Sequence, residues 1–375
     1  MSLSRREFCT QFTTGLATVC LAPWLARDLL AENQSSKTPY IREARYYTKL
    51  TDNKVRCLLC PRTCLVADGK RGYCRVRENR GGIYHTLVYG RLCAINNDPI
   101  EKKPLFHFLP GTTALSVATV GCNIHCKFCQ NWNISQARPE SIDFQYYSPE
   151  NLARLAKQVG SPTIAYTYTE PTVFTEYIYD TAVAARRLGI RNVVISNGFI
   201  NEQPLGDLCQ VVDAIKIDFK AYSDDFYKNV TDGQLQPVLN SLLRVKQSGV
   251  WLEMVNLIIP TQNDDPLMLR GMCQWIAANL GTEVPIHFTR FHPQYRMQNL
   301  PATPILALET AHQIAQATHL KYAYIGNVPG HRAENTYCPN CQKLLLERSG
   351  YTITTNNLSR GRCRFCGTPI PGIWS

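Results

Sequence analysis

The middle of the chain predicts an α/β fold, a partial or full parallel (β/α) barrel. From about residue 113 to 325, short β-branched runs alternate with longer amphipathic segments, the pattern of repeated βα units. Parallel strands with right-handed crossovers close naturally into a barrel, whose working residues lie on the loops after the strands. Seven strands are predicted, at residues 114–120, 163–168, 192–196, 214–219, 251–258, 284–290 and 322–325.

Two helices between these strands are well marked. Residues 172–188 place apolar side chains at steps of three and four residues, and Gly189 follows as a C-cap. Ser148 followed by Pro149 is a typical start of a second helix.

Cysteine usage divides the chain into regions. The chain has 375 residues, 45% of them apolar and 16 of them cysteine, which is ample for one large core plus smaller appendages. Most cysteines are clustered, and two cysteines separated by two residues suit a metal better than a relaxed disulfide. Cys93, Cys209 and Cys273 stand alone and are interpreted as buried small hydrophobes.

The predicted regions are an N-terminal extension or signal at 1–35, a four-cysteine metal-binding region at 45–105, the barrel at 110–330 and a zinc-ribbon-like region at 335–375.

Cys122, Cys126 and Cys129, here called the triplet, follow the first predicted strand in VGCNIHCKFCQNW. Three thiolates leave one iron of a 4Fe-4S cube without a protein ligand, whereas a cluster that only carries electrons usually takes four. A zinc site that borrows His125 is the alternative, but His125 directly precedes Cys126, which strains tetrahedral geometry. The triplet therefore predicts a cluster with an open coordination position.

The CxxxCxxC spacing of the triplet, with Phe128 before the last cysteine, resembles the defining motif of the radical S-adenosylmethionine superfamily. The resemblance implies that the open iron binds S-adenosylmethionine and that reductive cleavage yields a 5'-deoxyadenosyl radical. That radical would abstract hydrogen from a substrate that the sequence does not identify. The resemblance also implies a low-potential electron donor of flavodoxin or ferredoxin type, and it assigns Phe128 to the cofactor site.

Further cofactor contacts are predicted on the loops after later strands. Glu170 in YTYTEPT resembles the acidic residue that receives the cofactor's amino group, with Tyr-Thr where the superfamily usually has Gly-Gly. Asn197 in SNGF is predicted to bind the ribose, and an ordinary Asn-Gly turn is the alternative. Asp218 and Lys220 resemble the DxK segment of activating-enzyme-like members, whose Asp and Lys meet the ribose and the methionine carboxylate; an exposed salt bridge is the alternative. His292 in FTRFHPQY is predicted to line the cofactor or substrate pocket.

Glu253, Asn256 and Arg290 are expected to add polar groups at the same end of the barrel. Glu253 and Arg290 could also pair with each other.

The N-terminal quartet, Cys57, Cys60, Cys64 and Cys74, lies in RCLLCPRTCLVADGKRGYC. Four thiolates around one ion favour structural zinc, and an auxiliary iron-sulfur cluster is the alternative. Residues 54–103 carry 11 Lys or Arg against 4 Asp or Glu, which we interpret as compensation of thiolate charge. Without aromatic interleaving, this basic segment makes no strong case for nucleic acid.

The C-terminal quartet consists of two CxxC pairs, Cys338 with Cys341 and Cys363 with Cys366, with 21 residues between the pairs. This spacing is typical of a zinc ribbon. Zinc is favoured over iron because the role predicted for the region is structural.

The order CLLCPRTC, CNIHCKFCQNW, YIGNVPGHRAENTYCPNC and a final CxxCG with PGIW resembles the AmmeMemoRadiSam-system radical enzyme family over residues 45–375. That family is similar to pyruvate formate-lyase activating enzymes, which install a glycyl radical on a partner. The resemblance implies Memo-like companion proteins, and it leaves open whether the substrate is a protein glycine or a small molecule. A non-catalytic protein that binds several zinc ions is the competing class.

The first residues, MSLSRREFCTQFTTGLATVCLAPWLA, resemble a twin-arginine export signal through Arg5 and Arg6. The stretch is too short and too polar to predict a membrane span. An amphipathic extension is the alternative. Export would follow from the signal, whereas the need for S-adenosylmethionine and a low-potential electron predicts a cytoplasmic enzyme, so both locations stay open.

Overall fold

The computed structural model describes residues 38–375, so the predicted export signal lies outside the described residues. Residues 40–375 form one compact unit. The N-terminal part has two small antiparallel sheets, with strand orders β2-β3-β4 and β1-β6-β5. Their strands are β1 (Arg42–Glu43), β2 (Tyr47–Lys49), β3 (Val55–Cys57), β4 (Leu65–Val66), β5 (Arg77–Arg80) and β6 (Ile83–Thr86), followed by β7 (Arg91–Leu92).

The central sheet has eight strands in the order β16-β15-β14-β13-β12-β11-β9-β8. Seven are parallel, and β8 runs antiparallel to β9 at one edge. Within residues 38–375 the edge strands β16 and β8 do not pair with each other, so the sheet stays open. The strands of this part of the chain are β8 (Ala94–Pro99), β9 (Thr113–Ala118), β10 (Gln145–Tyr146), β11 (Thr163–Tyr166), β12 (Arg191–Ser196), β13 (Ala214–Asp218), β14 (Trp251–Ile258), β15 (Ile286–Arg290) and β16 (Ala323–Gly326).

All seven predicted parallel strands are present, and the mostly parallel α/β architecture is confirmed. The edge strand β8 was not predicted, because its sequence AINNDP is polar and poor in β-branched residues.

Helices connect the parallel strands. They are α1 (Trp132–Ser135), α2 (Pro149–Gln158), α3 (Thr175–Arg187), α4 (Glu202–Cys209), α5 (Asp224–Phe226), α6 (Leu235–Ser248), α7 (Pro266–Asn279) and α8 (Ile305–Ala317). Short 3₁₀ turns lie at Ile100–Lys102, Pro139–Ser141, Pro171–Phe174 and Arg332–Glu334, and a π-helical turn lies at Tyr227–Thr231.

Both predicted helices form. The segment expected at 172–188 begins as the 3₁₀ turn and continues as α3, and Gly189 follows with a φ of 73°. Ser148 caps α2, since its hydroxyl accepts a hydrogen bond from the Asn151 backbone N–H at 3.2 Å. No helix of residues 38–375 has the length and apolar character needed to cross a bilayer.

The buried apolar residues of the described chain form several clusters, two of which pack on the central sheet. Most buried residues pack between the helices and the sheet, including Ile164, Val194 and Met254. A smaller cluster, with Leu105 and Phe108, packs against the first residues of several strands, such as Ala114 and Ala214. Apolar packing therefore covers the starts of these strands, and a separate apolar cluster with Phe128 and Phe291 lies at the triplet loop.

The C-terminal part packs on the barrel through backbone and arginine contacts. Leu109 N–H donates to the Ile373 carbonyl at 2.7 Å, and Ile373 N–H donates to the His107 carbonyl at 2.8 Å. Arg348 is buried and donates to the Phe106 carbonyl at 3.0 Å. The strands here are β17 (Thr336–Tyr337), β18 (Leu344–Ser349), β19 (Thr352–Asn356), β20 (Leu358–Ser359) and β21 (Arg362–Cys363).

Candidate active site

The triplet lies on the loop that follows β9, at the carboxyl end of a parallel strand. The π-helical turn holds this loop, because His125 N–H donates to the Thr231 carbonyl and Lys127 N–H donates to the Val230 carbonyl, both at 2.9 Å. Gly121, with a φ of 103°, starts the loop. The strand end and the turn together fix the positions of the three cysteines.

The surroundings of the triplet sulfurs are partly polar. Cys129 Sγ lies 3.3 Å from Ser135 Oγ, and Asn197 Nδ2 lies 3.8 Å from Cys122 Sγ. Burial raises the pKa of the Cys122 thiol well above its ordinary value and that of Cys126 to about 12. The sulfurs of Cys122 and Cys126 therefore need a bound cation to become thiolates at neutral pH.

His125 stacks on Tyr73, with ring centroids 4.2 Å apart. Within residues 38–375, His125 belongs to no group of three or more ligand atoms that lie within 4.8 Å of one another. The geometry thus gives no support to a zinc site built from the triplet and His125.

Asp218 and Lys220 lie together at the end of β13. Lys220 Nζ is 3.3 Å from Asp218 Oδ2, and Lys216 Nζ contacts Asp218 Oδ1. Burial alone would raise the pKa of Asp218, but the two ammonium groups outweigh burial and lower it to about 2. Lys220 Nζ also lies 5.4 Å from the centroid of the Phe128 ring, which brings this charged group against the triplet loop.

Two asparagines hold the backbone of Lys220. Asn256 Nδ2 donates to the carbonyls of Phe219 at 3.0 Å and Lys220 at 2.9 Å, and Asn263 Nδ2 donates to the Lys220 carbonyl at 2.6 Å. Asn256 Oδ1 is buried and accepts no hydrogen bond from any residue of 38–375. A buried acceptor without a donor is costly, so this oxygen is a natural contact for a bound polar molecule.

Glu170 is buried at the start of the 3₁₀ turn that precedes α3. Its Oε1 accepts hydrogen bonds from Thr172 N–H at 3.0 Å and Ser196 Oγ at 2.7 Å, and its Oε2 accepts one from Asn197 N–H at 2.8 Å. Burial raises the pKa of this carboxyl. These contacts make Glu170 an organiser of the loop after β12, and its predicted contact with the cofactor stays a prediction.

Asn197 and His292 differ in their surroundings. Asn197 is buried, and its side chain donates to Asn123 Oδ1 at 2.9 Å, close to the Cys122 sulfur. His292 is exposed on the loop after β15. The structure therefore brings Asn197 to the triplet and leaves His292 at the surface, and the cofactor roles of both stay predictions.

A second ionic group, which was not expected from the sequence, involves β8. Lys103 Nζ lies 2.5 Å from Asp98 Oδ2, and the Tyr168 hydroxyl also donates to Asp98. Burial lowers the pKa of Lys103 to about 8 despite its carboxylate partner, and Lys216 contributes to this lowering. Because β8 was not predicted, no pattern in the sequence pointed to this group.

Glu253 does not lie where it was expected. It is fully buried, and its carboxylate accepts hydrogen bonds from the N–H groups of Phe106 at 3.0 Å and His107 at 2.8 Å. His287 Nε2 lies 2.8 Å from the same carboxylate, whereas Arg290 donates to the Thr303 carbonyl. The expected position at the functional end of the sheet is wrong for Glu253, and so is the alternative pairing with Arg290, because Glu253 is the third residue of β14 and lies near the start of the strand.

The two quartets have different geometries. In the C-terminal quartet, Cys338 and Cys366 sulfurs are 3.6 Å apart, and Cys341 and Cys363 sulfurs are 3.7 Å apart. All four of its sulfurs lie within 4.8 Å of one another, which holds for no other set of three or more potential ligands among residues 38–375. The N-terminal quartet instead lines the wall of one cavity, together with Arg77, Tyr84 and Asn123.

The residues around the triplet fit an iron-sulfur cluster with bound S-adenosylmethionine. Three cysteines leave one iron open, Lys220 offers a cation for a carboxylate, and Asn256 Oδ1 offers an unused acceptor.

Comparison with known families and proteins agrees with this geometry. The family model described as "Radical SAM superfamily" matches residues 116–269. An uncharacterised protein of Methanocaldococcus jannaschii is 48% identical over 332 residues, which cover 88% of this chain and 99% of that protein. A second uncharacterised protein of the same organism is 25% identical over 256 residues, which cover 65% of this chain and 68% of that protein.

Several solved structures are similar at low identity. A domain of a pyruvate-formate lyase-activating enzyme from Bacteroides vulgatus is 16% identical with a TM-score of 0.40, over 44% of this chain and 98% of that chain. A radical SAM methyltransferase from Sphaerobacter thermophilus is 14% identical with a TM-score of 0.46, over 58% of this chain and 67% of that chain. At these scores neither likeness carries an argument about function.

Proposed function

The chain belongs to the radical S-adenosylmethionine superfamily and is an enzyme, and we propose that it abstracts hydrogen from an unidentified substrate at the site around the triplet. The observation that carries the proposal is the approach of Lys220 to the triplet loop, with Nζ 5.4 Å from the Phe128 ring. This approach brings the cation that follows β13 close to the loop after β9, which carries the three cysteines. A 4Fe-4S cluster with S-adenosylmethionine would supply the reductive cleavage that yields a 5'-deoxyadenosyl radical.

The protein's part in this reaction is positioning. Lys220 and Asp218 would bind the cofactor's charged and hydroxyl groups, and Asn256 and Asn263 would keep Lys220 in place through its carbonyl. Phe128 would cover the cluster loop on the side of Lys220. Lys216 contacts Asp218, and Asn256 and Asn263 hold the Lys220 carbonyl, so both charged residues of the DxK segment are held in place. The site would therefore bind its cofactor with little rearrangement.

Glycyl-radical activation of a partner enzyme is a more specific form of this function. The family resemblance over residues 45–375 supports it, and so does the similar order of cysteine groups, which also suggests Memo-like companions. A non-catalytic zinc protein is the competing function. The open geometry of the triplet favours the enzyme, since those sulfurs do not converge on one ion.

The test is anaerobic purification and reconstitution of the full chain, followed by reduction with dithionite in the presence of S-adenosylmethionine. We expect 5'-deoxyadenosine to form with the wild-type protein and to be absent with Cys126→Ala. Cys209→Ala is the matched control, because Cys209 is a partly buried cysteine of α4 outside all three cysteine groups. Formation of no 5'-deoxyadenosine by an iron-loaded wild-type protein would overturn the proposal.

We also propose that the C-terminal quartet binds one zinc ion. With zinc-sulfur bonds of about 2.3 Å, tetrahedral geometry places sulfurs about 3.8 Å apart. The distances of 3.6 and 3.7 Å in this quartet agree with that value. The role supported by this geometry is structural, because four protein ligands leave no open position on zinc.

Export by the N-terminal segment is a separate proposal that rests on Arg5 and Arg6. A fusion of residues 1–40 to a reporter should be exported, and export should be lost in Arg5→Lys/Arg6→Lys. Retention of the unsubstituted fusion in the cytoplasm would contradict this proposal and favour the cytoplasmic location that the cofactors require.

A further inference from the structure

The N-terminal quartet surrounds a cavity and does not converge on the position of a single ion. Its four cysteines contribute to the lining of one cavity, whose wall also includes Gly72, Arg77, Tyr84, Asn123 and Thr172. Cys57 and Cys60 are buried, and Cys64 and Cys74 are partly buried. Four potential thiolates thus face a common space inside the protein.

The spread of the four sulfurs argues against a single ion. Around one zinc ion, sulfurs stand about 3.8 Å apart, and the C-terminal quartet of the same chain adopts that spacing. Among residues 38–375, no three sulfurs of the N-terminal quartet lie within 4.8 Å of one another. In a 4Fe-4S cluster each thiolate binds a different iron, so the thiolates are held farther apart than around one ion.

Two hydrogen-bond donors in the cavity wall have no acceptor. The Tyr84 hydroxyl and the Arg77 Nε–H are buried and form no hydrogen bond with any residue of 38–375. A Cβ placed on Gly72 would lie 2.5 Å from Tyr84 Oη and 3.8 Å from Cys64 Sγ, so the hydroxyl and the thiol border the same space. Buried donors are rarely left unpaired, which indicates that an acceptor belongs in this cavity.

Arg77 is held so that only part of its guanidinium is used by the protein. Its Nη2 donates to both carboxylate oxygens of Glu176 at 2.6 Å, and its Nη1 donates to the Arg45 carbonyl at 3.3 Å. The ion pair is almost fully buried. The remaining Nε–H is therefore fixed in direction, and it belongs to a residue of the cavity wall.

We propose that Cys57, Cys60, Cys64 and Cys74 hold a second 4Fe-4S cluster, whose sulfur atoms accept hydrogen bonds from Tyr84 Oη–H and Arg77 Nε–H. Four cysteine ligands leave no iron open, so this cluster carries electrons and does not bind S-adenosylmethionine. The unpaired donors favour a cluster over zinc, because a cluster adds inorganic sulfides to the thiolates as acceptors.

The cavity lies next to the triplet loop. Asn123 lines the cavity, and its Oδ1 accepts a hydrogen bond at 2.9 Å from Asn197 Nδ2, which is 3.8 Å from Cys122 Sγ. The carbonyl oxygen of Cys74 would lie 3.0 Å from a Cβ placed on Gly121. The two cysteine groups are thus in contact through Asn123 and through the backbone.

Because the two cysteine groups are close, the second cluster serves as an electron relay to the cluster at the triplet. This role rests on the proposed function. One electron from a low-potential donor protein of flavodoxin or ferredoxin type reduces the second cluster, and the same electron then passes to the cluster at the triplet. No bond forms or breaks, and no proton moves, in this transfer.

Metal analysis of the anaerobically reconstituted full chain tests the assignment. We expect about eight irons per wild-type chain and about four in Cys122→Ala/Cys126→Ala/Cys129→Ala, with acid-labile sulfide in equal amount. The triple variant should retain about one zinc, at the C-terminal quartet. After dithionite reduction, it should also show the electron paramagnetic resonance signal of a reduced 4Fe-4S cluster.

A triple variant with no iron and about two zinc ions would overturn the proposal in favour of structural zinc. The wild-type count decides the question without relying on any variant, since about four irons instead of about eight would mean one cluster. Failure of the proposed function has a different signature, because it appears as absent 5'-deoxyadenosine whatever the iron content.

The hydrogen bond from Tyr84 is tested in the triple-variant background. Tyr84→Phe should keep the iron and shift the midpoint potential of the remaining cluster to a more negative value, because donors to cluster sulfurs stabilise the reduced state. Tyr322→Phe is the matched control, since Tyr322 is also buried with an unpaired hydroxyl but does not line this cavity. An unchanged potential in Tyr84→Phe would contradict the assignment of this donor.

Discussion

The two quartets contain the same four ligands and have different geometries. The C-terminal sulfurs converge to within 4.8 Å of one another, with one CxxC turn after β17 and the other at the end of β21, two strands of different small sheets. The N-terminal sulfurs come from a strand end and the loops that follow, and they stay apart around a cavity. Equal cysteine counts therefore do not imply equal geometry, and the arrangement of the supporting backbone sets how far apart the sulfurs lie.

Each quartet region has a buried arginine among its contacts with the rest of the chain, and the partners of the two arginines differ. Arg77 pairs with the carboxylate of Glu176 on α3. Arg348 donates to the carbonyls of Phe106 and Glu334 and to Thr336 Oγ1. Burial lowers the pKa of Arg348. The N-terminal arginine thus pairs with a charged partner, whereas the C-terminal one donates to neutral acceptors.

The largest effect is expected when the metal proposed for the C-terminal quartet is removed. Structural zinc contributes on the order of 10 kcal/mol to the folding of the residues around it. We expect Cys341→Ser/Cys366→Ser to lose its zinc and the amide exchange protection of residues 336–363, while amides of the central sheet stay protected. Hydrogen exchange with mass spectrometry measures this, and equal loss of protection in both regions would mean that the two parts unfold together.

Loss of the buried carboxylate should have the next largest effect. Glu176→Ala leaves Arg77 charged and unpaired, which should cost about 3–5 kcal/mol in the free energy of unfolding. Arg77→Met/Glu176→Leu, which removes both charges, should cost clearly less. Denaturant unfolding followed by circular dichroism compares them, and equal losses would show that packing rather than charge holds this region.

Substitution of Arg348, the buried arginine of the C-terminal region, should lower the free energy of unfolding less than Glu176→Ala does. Arg348→Met leaves neutral acceptors without a donor and should cost about 1–3 kcal/mol. A loss as large as that of Glu176→Ala would remove the distinction between the two arginines.

A smaller effect is expected where the N-terminal region meets the triplet loop. A Cβ at Gly121 would lie 2.6 Å from Val76 Cγ1, and the residue has a φ of 103°. We expect Gly121→Ala to cost about 1–3 kcal/mol and to lower iron content. Gly281→Ala is the matched control, because Gly281 has a φ of 86° and no neighbouring atom within 4 Å of the added carbon. Equal costs in denaturant unfolding would indicate that only backbone strain matters.

The smallest expected effect concerns acid stability at Asp218. Its folded pKa of about 2 lies below its ordinary value of 3.8, so it stabilises the fold above pH 3.8 and loses that contribution as the pH falls toward 2. The side chain is 32% exposed, so solvent screens the effect. Asp218→Asn should therefore show a shallower loss of stability between pH 4 and pH 2, and an unchanged slope would contradict the pairing with Lys216 and Lys220.

The sequence predicts strand positions and the face of the sheet that a side chain occupies, because both depend on patterns only a few residues long. The seven parallel strands follow from β-branched runs, and the proximity of Asp218 and Lys220 follows from the two-residue period of a strand. The same period could have identified Lys216, which lies two residues before Asp218. Glu253 shows the limit of this argument, because periodicity indicates a face of the sheet but not the depth along the strand.

The sequence by itself determined the local patterns: the strands, the helix starts, the three cysteine groups and the triplet's missing fourth ligand. Those features depend on spacings of a few residues, which backbone geometry translates directly into structure. Only the tertiary structure decided that the N-terminal sulfurs stay apart, that Arg77 meets Glu176 from 99 positions away, and that Tyr84 faces the cavity without a partner. Such contacts depend on how distant segments pack against the barrel, and no short-range spacing encodes that packing.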